Sequence, residues 1–180
     1  MTHSPGFAGI GPVMQMAYWP KDFDAALKHW TEVMGVGPFY LLENVALEDM
    51  RYRGEPTKFV FTMALAYWGN VQIELIRPLN NDPSIYSGEH GQQGDALHHV
   101  CVLTDDIASA RATAEATGGV VLVEAKVGAD GAVLYVDSGG GPGKIVEILQ
   151  PASGSEALFG MISDAARDWD GSDPVRKLSF

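Results

Sequence analysis

Cysteine occurs once in the 180 residues, at Cys101, so no internal disulfide framework is available and a reducing compartment suits the chain. Basic side chains are scarce: 12 Lys and Arg stand against 23 Asp and Glu, a formal charge of −11. Charge of that sign repels a phosphate backbone, so nucleic acid is not an expected partner. No apolar run reaches the ~20 residues that a bilayer span requires. Met1 to Pro12 lacks a basic start followed by an apolar core, the mark of a secretion signal. The expectation is a cytoplasmic protein with no membrane association.

Apolar side chains are plentiful. They make up 46% of the chain, too many for disorder, while 21 Gly and 10 Pro supply frequent turns. A chain of this length buries roughly 70% of its unfolded surface, enough for a core without a covalent or metal staple.

The pass along the chain gives alternating elements. Val13 to Trp19 reads as a buried strand, broken by Pro20-Lys21-Asp22. Asp22 is a good N-cap for a helix carrying Phe23, Ala26, Leu27, Trp30, Val33 and Met34 on one face, and Gly35 ends it. Phe39 to Leu42 is a short strand and Asn44 to Thr57 a charged, irregular stretch. Lys58 to Tyr67 and Val71 to Ile76 read as an antiparallel hairpin around Trp68-Gly69-Asn70.

Asn80 to Asp95 is a polar linker, and after it the pattern repeats. Leu97 to Leu103 is a strand, Asp106 caps a helix running to Thr117, and Gly118-Gly119 ends it. Val120 to Val127, Ala132 to Val136 and Lys144 to Leu149 are three further strands. Gln15 precedes Asp22 by seven residues, and His99 precedes Asp106 by seven. The final strands match as well, Val71-Gln72-Ile73-Glu74-Leu75-Ile76 against Lys144-Ile145-Val146-Glu147-Ile148-Leu149.

The predicted fold is therefore α+β, with two tandem βαβββ modules that supply eight strands. The first module spans 9–80, the linker 81–95 and the second module 96–152. A C-terminal helix and tail fill 153–180, with Ser153-x-x-Glu156 as a capping box and Leu158, Phe159, Ile162, Ala165, Ala166 and Trp169 as its apolar stripe. The residues after Gly171 read as a loose tail.

Glu74 and Glu147 stand mid-strand among apolar neighbours. An unpaired carboxylate there would cost several kcal/mol or take up a proton, so each needs a cation, a donor or a metal. The competing reading is a strand wet on one side, with Gln72, Glu74 and Arg77 in solvent. The repeat weighs against it, because glutamate recurs at one register and Gln15 and His99 recur at another. Pairing the halves about a pseudo-twofold would converge Gln15, Glu74, His99 and Glu147, a set suited to Zn, Ni, Co, Mn or Mg.

With these residues in place, the chain resembles the vicinal oxygen chelate superfamily, whose members include glyoxalase I, methylmalonyl-CoA epimerase and the extradiol dioxygenases. The resemblance runs from Gly9 to Pro151 and implies that the two modules form a curved, mostly antiparallel eight-stranded sheet around a metal site. Leu97-His98-His99-Val100 with Asp105-Asp106 and the Ser84 to Gly94 stretch most resemble the epimerase, whereas the four-ligand set resembles zinc-dependent glyoxalase I. The resemblance implies an enzyme, either a glyoxalase I-like lyase or an acyl-CoA epimerase-like isomerase, abstracting a proton beside a carbonyl. One divalent ion per site is implied, zinc first, with Glu147 as base and Glu74 as its counterpart. A thioester or 2-oxo thiol adduct as substrate and a homodimer as assembly are likewise implied. The same superfamily leaves a ring-cleaving dioxygenase or a non-enzymatic binding protein as alternatives. The first wants a two-histidine, one-carboxylate face that Gln15 does not complete.

Strand faces nominate Trp19, Gln72 and Cys101 as substrate contacts, with Ala17 and Met63 as further walls. His98 faces away from His99 and reads as a structural histidine. Cys101 has no activating partner and reads as a small buried filler rather than a nucleophile. Tyr86 and His90 fall in the linker and read as exposed. Ser138 to Lys144 lacks the leading glycine and trailing Ser/Thr of a phosphate loop and reads as a turn.

Overall fold

The structure, a computed structural model, describes residues 6–91, 93–94, 96–140 and 144–178. Strand β1 (Val13–Tyr18) leads into α1 (Phe23–Lys28), whose N-terminus is capped by Asp22 accepting the Ala25 N–H at 2.9 Å. α1 widens into a π-helical turn at His29–Val33, and the chain leaves it through Gly35 at φ +65°. The second helix, α2 (Ile107–Ala116), repeats the device: Asp106 accepts the Ser109 N–H at 3.0 Å, and Gly118 turns out at φ +89°.

Among the described residues the sheet has eleven strands, not eight. The remaining ones are β2 (Phe39–Val45), β3 (Glu48–Tyr52), β4 (Glu55–Pro56), β5 (Phe61–Trp68), β6 (Val71–Pro78), β7 (Leu97–Leu103), β8 (Val120–Val127), β9 (Gly131–Asp137), β10 (Ile145–Gln150) and β11 (Val175–Lys177). Their order across the sheet is β11-β2-β5-β6-β1-β7-β10-β9-β8-β3-β4. Most neighbours are antiparallel; β1–β6, β7–β10 and β2–β11 are parallel.

The three added strands, β3, β4 and β11, correct the sequence reading. The 44–57 stretch is not irregular: β3 forms there and pairs antiparallel with β8, with Arg51 opposite Glu124 and Tyr52 opposite Val123. Its charges suit an edge position, and Lys126 pairs with Asp49. The segment after Gly171 is not loose either, because β11 adds to β2, with Leu178 N–H donating to the Leu41 carbonyl at 2.9 Å. Since β2 and β3 are consecutive in the chain yet lie toward opposite ends of the sheet, the sheet must curl until residues 46–47 bridge its two sides.

Curling gives each central strand two buried faces. On the outer face Phe23 and Leu27 of α1 pack on Ile73 and Leu75, and Ala110 and Ala114 of α2 pack with Val146 and Ile148. The residues between, Gln72 and Glu74 on β6 and Glu147 on β10, face the inside of the curve. This is why both strands read as continuous apolar runs interrupted only by polar inward positions.

The C-terminal helix α3 (Ser155–Arg167) packs by Ile162, fully buried against Tyr40, Leu42 and Leu65. The capping box does not form. Gly154 at φ +91° is the N-cap, a conformation that favours glycine, and the Ser153 hydroxyl is taken by the Asp130 carboxylate. Trp169 lies beyond the helix, its ring against Gly37, where a Cβ would meet it at 2.7 Å.

Candidate metal centre

The halves present their polar residues at matching registers. Ala17 lies beside Glu74 on the parallel pair β1–β6, and Cys101 lies beside Glu147 on the parallel pair β7–β10. Gln15 and His99, each two residues before these, complete the symmetry. The antiparallel seam between β1 and β7 then sets Gln15 opposite Cys101 and Ala17 opposite His99, which brings the two halves' inward side chains face to face within one chain.

Glu74, His99 and Glu147 converge: one ligand-capable atom from each lies within 4.8 Å of the others. His99 Nε2 stands 3.2 Å from Glu147 Oε2 and 3.5 Å from Glu74 Oε2. All are buried, so neither glutamate is on a wet strand face. Gln15 Nε2 donates to Gln72 Oε1 at 2.7 Å, which leaves Gln15 Oε1 buried and without a partner. Gln72 is thus a neighbour that orients Gln15 as well as a wall of the cavity.

This donor set fits a divalent cation. Two carboxylates, one imidazole nitrogen and an orphaned amide oxygen match the N/O ligation of a borderline or hard ion, and the two negative charges would balance it. The electrostatics agree. Burial raises the Glu74 carboxyl above its usual range, with His99 opposing and Glu147 adding to the shift. Burial would lower His99, but the Glu147 and Glu74 carboxylates beside it hold it up at about 9. A cation is needed among these groups, and the imidazolium supplies it where no metal does.

His98 does not face away from His99. Its Nδ1 lies 3.0 Å from His99 Nδ1, and its ring stacks on Tyr86 at 4.7 Å with Trp19 edge-on at 6.2 Å. Burial, reinforced by the His99 charge, pushes His98 down to about 3. The neutral ring accepts the His99 Nδ1–H, which turns His99 Nε2 toward the carboxylates, the arrangement found behind metal-bound histidines. His90 is buried rather than exposed, its Nε2 pairing with Asp137 Oδ2 at 2.9 Å, and Tyr86 is half-buried.

An apolar cavity of about 570 Å³ opens from the cluster, with Gln15, Gln72, Glu74 and Glu147 in its lining. Met63 lines it as expected. Trp19 does not: it is turned to the Tyr86–His98 stack. Cys101 also lies behind the wall, 1% exposed, where burial and then the two glutamates hold its thiol protonated. Tyr135 was missed. It lines the cavity with its ring edge-on to His99 at 5.3 Å, and the alternation of Val133 and Tyr135 against Leu134 and Val136 on β9 was the available signal. The Ser138–Lys144 turn closes with Ser138 N–H donating to the Lys144 carbonyl at 2.8 Å; residues 141–143 lie outside the described residues.

The chain is similar in fold to several solved structures. A methylmalonyl-CoA epimerase from Mycobacterium tuberculosis is 16% identical with a TM-score of 0.52, covering 81% of this chain and 91% of its own. A variant of the Streptomyces coelicolor epimerase, bound to 2-nitronate-propionyl-CoA, is 14% identical with a TM-score of 0.50, covering 80% and 99%. A hypothetical protein from Bacillus halodurans gives 14% and 0.50, covering 79% and 95%. Among curated proteins none matches the chain in sequence. The sequence model of one family matches residues 14–136, more than half the chain, a span that includes Gln15, Glu74 and His99 and ends before β10. The chain belongs to the glyoxalase/bleomycin resistance protein/dioxygenase superfamily, the vicinal oxygen chelate fold.

Proposed function

We propose that the protein is a divalent-metal-dependent isomerase or lyase that removes a proton from the carbon beside a substrate carbonyl. The observation that carries this reading is the convergence of Glu74, His99 and Glu147, beside the unpartnered Gln15 oxygen, on the wall of an apolar cavity. Gln15, Glu74, His99 and Glu147 would hold the ion, zinc first, with Ni, Co, Mn or Mg also compatible with the donors. When bound, the ion supplies a Lewis acid for the carbonyl oxygen and so acidifies the neighbouring carbon.

The protein side chains do the rest. Glu147 takes the proton at a carboxylate oxygen and returns it, and Glu74 is its counterpart across the pseudo-twofold. Return to the same carbon from the other side inverts it; delivery to the neighbouring atom isomerises the carbonyl. The apolar walls keep water from the carbanion, and Tyr135, which burial holds as a phenol, offers a hydrogen-bond donor in the cavity wall. Epimerases of the same fold support the reading.

The test is Glu147→Gln. Exchange of the α-proton for deuterium, followed by NMR over ketones, acyl thioesters and 2-oxo thiol adducts, is expected to fall at least ~100-fold with the circular dichroism unchanged. Elemental analysis is expected to find about one divalent ion per chain. Tight ligand binding with neither metal nor exchange would make the protein a binding module instead.

A further inference from the structure

The cavity's chemistry is lopsided. Gln15, Gln72, Glu74 and Glu147 carry its polarity at the ligand cluster, and among the described residues no Lys, Arg or His is in its lining. Leu42, Phe61, Met63 and Leu65 form apolar walls, and α3 roofs them with Leu158 and Phe159. A more open groove shares Met14, Ala152–Gly154 and Phe159 with the cavity, and its charged residues are Asp105, Asp130 and Glu156, all acidic. An anionic substituent extending away from the ligand cluster would therefore meet no cationic side chain on the apolar walls and further carboxylates in the groove. Desolvating a phosphate or carboxylate against such walls is strongly unfavourable.

The roof comes from the chain's C-terminal part: α3 begins at Ser155, beyond residue 136, where the family's sequence match ends. Ile162 anchors the helix in the core, so Leu158 and Phe159 are held over the cavity by packing.

We propose that the substrate is an uncharged carbonyl compound with an apolar body of about ten carbons, lodged between the sheet and α3, and that no CoA or glutathione group is part of it. A volume of about 570 Å³, within the ordinary range of small-molecule pockets, admits a body of that size. The proposal rests on the reading that the carbonyl docks at the Glu74–His99–Glu147 cluster, and it names what extends from there.

Isothermal titration of the full-length protein with 2-alkanones, from butan-2-one to dodecan-2-one, provides the test, with methylmalonyl-CoA and S-lactoylglutathione as comparators. Kd is expected to fall about three- to fourfold per added methylene and to level off near ten carbons. Both comparators are expected to bind at least ~100-fold more weakly than decan-2-one. A flat ketone series, or tighter binding of either comparator, overturns the proposal. Leu158→Asp is expected to abolish the chain-length dependence. Leu158→Trp, which fills the cavity without charging it, is expected to shorten the limiting chain by about three carbons and keeps the test sound if the aspartate variant unfolds. An unchanged limit in the tryptophan variant overturns the roof assignment. Ketone binding without α-proton exchange would leave this proposal standing and overturn the catalytic reading; exchange of CoA thioesters with no ketone binding would do the reverse.

Discussion

His99 lies between two carboxylates, and its protonation follows from them. Burial opposes the charge, yet Glu147 and Glu74 hold the imidazole at about 9, above its ordinary 6.5. A value raised on folding means that the proton's contribution to stability is complete below pH 6.5 and is lost as the pH rises through about 9. For the metal-free protein, Tm is expected to fall by several degrees between pH 7 and 9.5, and His99→Gln is expected to remove that slope. Zinc must displace the same proton, so its apparent affinity is expected to rise up to ~10-fold per pH unit over this window, read by competition with a chelator. The place of His99 rather than His98 in the candidate cluster was legible from its seven-residue distance to Asp106. The supporting role of His98 was not, because adjacent strand residues ordinarily point to opposite faces and only the stack on Tyr86 brings its Nδ1 round.

The helices were legible because their signals are local. Asp22 and Asp106 each satisfy an N–H three residues on, a contact that sequence spacing alone specifies. Asp106→Ala is expected to cost about 1 kcal/mol in urea unfolding with the m-value unchanged. The capping box at Ser153 failed for a nonlocal reason: Asp130, twenty-three residues away in sequence, takes the hydroxyl and leaves Gly154 as the cap. β3 and β11 were missed on the same grounds. Both lie toward the ends of the sheet, and their short, charged segments acquire strand geometry from β8 and β2 rather than from their own alternation.

At the scale of the molecule the two halves share one sheet across the β1–β7 seam, and β3 crosses to pair with β8 of the other half. Such sharing couples their unfolding. Trp19, Trp30 and Trp68 report on the first half, and the buried thiol of Cys101 reports on the second. Urea curves from tryptophan fluorescence and from Cys101 reactivity are expected to coincide; separated midpoints would show halves that fold independently.

By itself the sequence determined the duplicated strand–helix grammar, the capped and glycine-ended helices, and the four polar residues set at equivalent registers. These depend on hydrogen bonds and alternation within a few residues, which a chain carries wherever it folds. Only the tertiary structure decided that the sheet curls until β2 and β3 meet its two sides, that α3 roofs the cavity, and that Trp19 and Cys101 stand behind its wall. Those outcomes depend on contacts between segments far apart in the chain, which no local pattern records.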